Sequence, residues 1–576
     1  MKKSQLVLLL AVLLKALTLQ SQVTVSKSSI DLYQKLDIET VYLQQNSKIL
    51  FAGEQLLYKV YVLNTAHQAS ISKIAYVALV NSDKKTVFTQ KLRIDESTGA
   101  GSFTIPYTLD SGTYQLVAYT QWMRNTSDHN YFHSPLHIIN PFSGDQSGLQ
   151  IVEKNTPVDI KDISQGVIAI KVDKEKASKR QLVQLSIEGL LNQKSYGNYI
   201  VSVRKKPALS VEEPINISNY VSLFKNNKID FTPTAEGYKV YSPEIKGELI
   251  SGVVRNTENN QLATNVKVAL SIPSKNFVFK TAKTNAYGVF YIDLEHDYNG
   301  DRAVIQVVDD AKEKYRIQLY KTPDFYFDKL SFPPLKVSEA EKDWIANSVE
   351  HLQIENAYRS VKQDSIVPFK EYNTFYNIDY KYNLDDFTRF KTVEETMIEI
   401  VEHTWVNKKD DNYSFHVRDY KSGGETRELP LVLIDGVQVQ NHNDLYHYDV
   451  KKIQTINIIT DKFLFNNQMY GGVILVETKK TDFIPISKGA YLHEFTLKKP
   501  EPTKIYYQPD YKNASNLRRV PDERSQLLWV PDFTLTKNSQ LLNFYTSDNT
   551  GLYEILVEGF TFEGKAVSIR KTIEVR

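Results

Sequence analysis

Three histidines, His129, His133 and His137, stand four apart, the spacing that puts imidazoles on one face of a helix or, by even count, of a strand. Pro135 argues against a helix, and strand residues rise about 3.3 Å each, too spread for one zinc ion. Half-buried aromatic packing is the expectation there. His442 and His447, with Asp444 and Asp449, read as a polar surface loop. Asp385 and Asp386, like Glu394 and Glu395, are adjacent carboxylates that point in different directions on a strand or a helix, so neither pair flanks a substrate as acid and base. A turn and a helix N-terminus are the expected roles. The chain has no Cys, which removes disulfides, thiolate metal sites and cysteine nucleophiles. No G-x-S-x-G elbow, HExxH, Walker or dinucleotide glycine pattern occurs. The expectation is therefore no catalytic residues, no metal site, no small-molecule cofactor and no enzymatic activity.

Chemistry being absent, the elements carry the information. Of 576 residues 41% are hydrophobic and 24% charged, enough to build several cores. Lys plus Arg number 70 against 68 Asp plus Glu, so no basic excess exists to hold a nucleic acid. With 36 Tyr and 26 Phe but 23 Gly, aromatic strands are favoured over glycine-rich phosphate loops.

The N-terminus, MKKSQLVLLLAVLLKALTLQSQ, has two lysines, an apolar run over residues 6–14 and a short polar stretch. This is the pattern of a secretory signal peptide, with cleavage expected between Leu19 and Gln22; the run is too short to span a bilayer, which takes about twenty residues. An exported protein, periplasmic or associated with the outer membrane and not lipidated for want of Cys, is expected.

From 23 to 145 short alternating segments such as LLYKVYVL and GTYQLVAYTQW predict an antiparallel sandwich. The stretch DESTGAGSFTIPYTLDSGTYQLVAYTQWMRN at 95–125 resembles a macroglobulin domain of bacterial alpha-2-macroglobulin-like proteins, although the missing Cys excludes their thioester chemistry. QLVQLSIEGL and NYIVSVRKK place a second β-sandwich at 146–246. Residues 247–322, with the TNAYG turn before VFYIDL, look like a carboxypeptidase regulatory-like domain, which implies a small seven-stranded sandwich without peptidase chemistry. Residues 323–383 read as a linker with a helix: Ser338-x-x-Glu341 is a capping box, and Ile345, Val349 and Leu352 recur at helical spacing. Thr392-x-x-Glu395 opens a second, shorter helix.

Three motifs follow in order within 384–482: PLVLIDGV, KIQTINII and YGGVILV, an apolar strand into an Asp-Gly turn, an alternating strand, and a Gly turn into a further strand. This order resembles the plug domain of TonB-dependent outer-membrane receptors, and the combination of domains resembles exported proteins of Bacteroidota-type bacteria. A receptor barrel needs more than about two hundred residues. The 96 residues after Lys480 are too few for one, and 483–576 looks like a C-terminal macroglobulin-like sandwich.

The expected fold is thus mainly β, a string of immunoglobulin-like or macroglobulin-like sandwiches plus a small α+β plug-like domain. The expected function is that of a non-enzymatic cell-envelope protein whose plug-like module and sandwiches bind or gate an outer-membrane β-barrel or translocon complex. The alternatives are a macroglobulin-like protease-binding or surface-protective protein, or a glycan-binding module. By the plug resemblance, the partner-facing residues are Ile434, Asp435, Gly436 and Val437 at one turn, and Tyr470, Gly471 and Gly472 at the other. The competing reading of these glycines is that they only make hairpins.

Overall fold

The computed structural model describes residues 23–25, 30–66, 68–126, 131–154, 166–209, 211, 216–217, 220, 228–234, 237–320, 327, 329–370, 372, 375, 377–419, 424–425, 428–513, 517 and 519–576. The expected leader, residues 1–22, and His129 lie outside them. With 47% of the chain in strands and 12% in helices, the protein is mainly β. No helix among the described residues is long and apolar enough to cross a membrane. The chain divides into two compact units, each assembled from separate stretches of sequence.

The larger unit comprises Gln22–Ile245, Asp324–Pro368 and Pro500–Arg576. Its first sandwich sets a sheet of Glu39–Gln45, Gln55–Asn64 and Thr98–Thr104 against a five-stranded sheet ordered Ile49–Phe51, Phe132–Ile139, Gly112–Tyr119, Ile74–Val80, Thr86–Arg93. Val41, Leu43, Leu56, Val60, Val77, Leu79, Leu116 and Ile138 fill the space between. Alternation along these strands sends every second side chain inward, as period two requires.

The second sandwich differs from expectation. One sheet pairs Ile168–Val172 and Leu182–Gly189 with Ser539–Tyr545, and the other orders Lys176–Ala177, Ala566–Val575, Gly551–Thr561, Gly197–Lys205 and Gln526–Leu535. Gly197–Lys205 is hydrogen-bonded on both sides by strands more than three hundred residues downstream. The core mixes Val183, Leu185, Tyr199 and Val201 with Leu527, Phe544, Ile555 and Val567. The two domains expected at 146–246 and 483–576 are therefore one sandwich, because neither set of strands alone can bury its apolar face. Lys59 of the first sandwich is fully buried against it, Nζ donating to the carbonyl oxygens of Tyr199 (3.3 Å), Pro531 and the Asn198 side chain.

The stretch expected as a linker is tied down within the same unit. Leu335–Ser338 runs parallel to Leu149–Val152, Phe327 packs with Ile74, Tyr76 and Val117, and Gln115 Nε2 donates to the Ser331 carbonyl at 2.7 Å. The Ser338–Glu341 capping box is present ahead of the helix Lys342–Ala357, whose Trp344, Ile345, Val349 and Leu352 cover Ile49, Phe51 and Leu335.

The smaller unit contains Lys246–Pro323 and Phe369–Lys499. Its sandwich sets Val289–Leu294, Glu248–Asn256 and Tyr315–Leu319 against Val278–Lys283, Lys267–Ile272, Arg302–Val307 and Leu492–Thr496. The seventh strand thus comes from beyond the plug-like module rather than from within 247–322. The module itself is a five-stranded mixed sheet ordered Tyr380–Asn383, Ile453–Ile459, Val473–Thr478, Leu431–Ile434, Val437–Gln438, with one parallel pair, Leu431–Ile434 on Val473–Thr478. Val432, Ile434, Ile456, Ile458 and Val476 on one face meet Val393 and Met397 of the helix Val393–Glu399 and Phe415 and Val417 of the hairpin Thr404–Lys409/Asn412–Asp419. Leu431, Leu433, Val473 and Leu475 on the other face meet Ala269, Phe277 and Phe279 of the sandwich together with Phe375.

Candidate functional site

Asp435 and Gly436 have φ of 51° and 82°, the doubly left-handed geometry of a two-residue hairpin turn, which explains why an Asp-Gly pair stands there. The turn is interior. Ile434 and Val437 are fully buried, and Asp435 is 2% exposed. The Asp435 carboxylate accepts from Thr478 N (2.7 Å), Thr478 Oγ1 (2.6 Å) and Phe483 N (3.1 Å), so it locks the end of the parallel pair to the chain leaving the sheet. A Cβ on Gly436 would lie 2.3 Å from the Phe277 ring.

The second turn is equally enclosed. Tyr470 is buried, its phenol pushed up to about 12 by burial, and Lys267 Nζ reaches its hydroxyl at 3.3 Å. Gly471 N donates to the Leu429 carbonyl, and a Cβ on Gly472, at φ 101°, would meet the Ile459 carbonyl at 2.8 Å and the Val417 side chain at 2.9 Å. The seven residues expected to face a partner are therefore structural within this unit. The physical reason is that both faces of the sheet are covered by the chain itself, which the receptor analogy assigns to a barrel wall.

What this unit leaves open is an edge. Tyr380–Asn383 pairs on one side with Ile453–Ile459 and, among the described residues, with no strand on the other. Tyr380 is 38% exposed and stacks on His403 at 3.6 Å, and Lys381 is exposed. The opposite edge, Val437–Gln438, is closed: Gln306 Nε2 donates to the Gln438 carbonyl at 2.9 Å, and Gln440 Nε2 to Gln306 Oε1 at 2.6 Å.

The histidine and carboxylate candidates resolve into structural roles. His133 and His137 lie on the strand Phe132–Ile139; burial, and secondarily the Lys48 charge, holds His137 down to about 4, and its Nδ1 lies 2.9 Å from Thr113 Oγ1. His442 and Asp444 are not in a surface loop as expected. Both are buried: His442 Nδ1 accepts from Phe415 N at 3.0 Å, burial holds the imidazole down to about 4, and the Asp444 carboxylate accepts from Ser487 Oγ at 3.1 Å. The apolar undersides of the short helix Asn443–Tyr446 and the hairpin draw them in. Asp385 and Asp386 form a turn, and Glu395 closes the capping box with Thr392. No group of three or more His, Asp or Glu suited to a metal ion occurs among the described residues.

The larger unit carries concavities that no motif announces. A cleft of about 630 Å³ is lined by Tyr506, Tyr507 and Trp529 together with Asn46, Arg359 and Gln508. Tyr506 and Trp529 meet edge to face at 6.5 Å. Beneath it lies an ion network: Lys362 Nζ binds both Glu355 oxygens at 2.6 and 2.8 Å, and Arg524 forks onto Asp522 at 2.6 and 2.9 Å. Burial raises the Glu355 carboxyl against the pull of Lys362, whereas the Asp522 carboxyl is lowered, Arg524 overcoming burial. Breaking such a buried set leaves uncompensated charge, so the network clamps the helix Lys342–Ala357 to the chain at 521–524. Sequence reasoning missed this cleft because its residues come from four separated stretches.

No protein-family model matches the chain, and no curated protein matches it. Among solved structures, similarity is found to Escherichia coli alpha-2-macroglobulin activated by porcine elastase, at 8% identity over 93% of this chain and 44% of that one, with a TM-score of 0.23. Salmonella alpha-2-macroglobulin reacted with methylamine is similar at 8% identity over 97% and 40%, also with a TM-score of 0.23. Dimeric latent PorU from Porphyromonas gingivalis is similar at 10% identity over 50% and 34%, with a TM-score of 0.15. The chain spans less than half the length of the macroglobulins it matches.

Proposed function

We propose that this chain is a non-enzymatic cell-envelope protein that binds, and in doing so gates or scaffolds, an outer-membrane β-barrel or translocon complex through its plug-like module. The observation that carries the reading is the open edge strand Tyr380–Asn383 on a sheet whose two faces and opposite edge are already covered. An unpaired edge offers a row of backbone donors and acceptors to an incoming strand, and exposed Lys on such an edge keeps it from pairing indiscriminately. The signal-peptide-like leader supports delivery to the envelope. The test is affinity purification from cells in mild detergent. The wild-type chain should bring down a β-barrel protein, and Tyr380→Ser with Lys381→Glu, both at exposed positions, should lower its recovery several-fold at unchanged melting temperature. Equal recovery would reject the edge as the contact.

A second reading, glycan recognition, is favoured by the 630 Å³ cleft, where aromatic rings stand beside amide side chains that can hydrogen-bond hydroxyls. A glycan array in which Trp529→Ala abolished a wild-type signal would favour it, and an array blank for the wild-type chain would dismiss it.

A further inference from the structure

A separate concavity of about 300 Å³ opens in the larger unit where the turn after Glu39–Gln45 approaches the end of Gly197–Lys205. Its wall carries five cations, Lys48, Arg204, Lys205, Lys206 and Arg570, and among its described residues one carboxylate, Glu554. Arg204 is held by Glu54, which lies outside the wall, and Arg570 Nε stands 3.6 Å from Glu554. Counting both carboxylates against the five cations leaves a formal +3 in the concavity. The remaining ammonium groups rest on neutral oxygens: Lys48 Nζ donates to Ser134 Oγ at 2.7 Å and Lys205 Nζ to the Asn549 side-chain carbonyl, and the Lys206 side chain is exposed.

We propose that this concavity binds a compact phosphate-bearing anion carrying two or more negative charges. Like charges gathered in a partly desolvated recess repel one another and focus a field that an anion relieves. Two guanidinium groups offer forked donors to paired oxygens, and three ammonium groups act as point charges, the combination phosphate groups use. A single carboxylate would leave most of the charge unbalanced. The volume sits at the lower end of small-ligand sites, which suits a diphosphate or a phosphorylated headgroup rather than a folded partner. Burial also holds the Lys205 ammonium below its usual range, a penalty that a bound anion would offset. The inference is independent of the open edge strand in the other unit.

Titration calorimetry of the full chain with inorganic pyrophosphate, at fixed ionic strength near physiological, tests it. The wild-type chain should give saturable binding with Kd below about 1 mM, and Lys205→Gln with Lys206→Gln should weaken it at least about tenfold. Lys537→Gln, on an exposed turn outside the concavity, should leave binding unchanged. Should the double variant melt early, Lys206→Gln alone repeats the test without touching a buried group, with a loss of several-fold expected. Co-sedimentation with phosphatidylcholine vesicles, with and without phosphatidic acid, separates the sources of the phosphate. Pelleting that requires phosphatidic acid and the two lysines identifies a lipid headgroup, and its absence beside pyrophosphate binding identifies a free phosphate compound. No saturable heat at about 10 mM pyrophosphate, as when carboxylates of this chain already fill the concavity, overturns the proposal, as does equal affinity in the wild-type chain and the lysine variants.

Discussion

Gly436 shows how a residue chosen for one role serves another. Its φ of 82° calls for glycine, and the Phe277 ring occupies the space a Cβ would need. Gly436→Ala should therefore cost about 1–3 kcal/mol in urea unfolding, from backbone strain and overpacking together. In a Phe277→Ala background the same change should cost only the backbone share, about 1 kcal/mol, and a coupling near zero between the two would contradict the packing described. His442 supplies a pH-dependent counterpart. Its folded value is lowered to about 4 from 6.5, so between these the unfolded chain binds the extra proton and stability falls as pH drops from about 6.5 toward 4. The loss attributable to it is on the order of 3 kcal/mol. His442→Gln, whose side-chain oxygen can still accept from Phe415 N, should flatten that part of the stability profile. An unchanged profile would mean that the imidazole is not held neutral. The Asp-Gly turn and both capping boxes were legible in the sequence, because each is a local contract between backbone angle and side chain. The approach of Phe277 to Gly436 was not, since 159 positions separate them and nothing local marks the pair.

At the scale of elements, alternation identifies a strand and its buried face but not the sheet that will cover it. LVQLSIEG and NYIVSVRK read as strands from residues alone, and they are strands; their neighbours, Ser539–Tyr545 and Gln526–Leu535, sit beyond the whole smaller unit in sequence. The same holds for Leu492–Thr496, which extends the sheet of Arg302–Val307 instead of joining a C-terminal domain. Edge complementarity settles such pairings, and a one-dimensional pattern does not record it. A fragment spanning residues 146–246 should consequently stay unfolded by circular dichroism and amide exchange, whereas co-expression with residues 500–576 should restore protection along Gly197–Lys205. Independent folding of 146–246 would contradict the shared sandwich.

For the whole molecule, two compact units built from interleaved stretches replace a linear string of domains. The functional consequence is that the plug-like sheet cannot be excised: its faces belong to cores that include Phe279 and Val304 of the neighbouring sandwich, so deleting 429–480 would unfold the smaller unit rather than report on partner binding. Point changes on the open edge are the informative ones. The central claim, that this edge is where an outer-membrane partner attaches, is tested most directly by in-cell photo-crosslinking from a reactive side chain placed at position 381, with position 537 as the control. Adducts to a β-barrel membrane protein from 381 and none from 537 are the predicted result; no adduct from 381, or the same adducts from both positions, would contradict it.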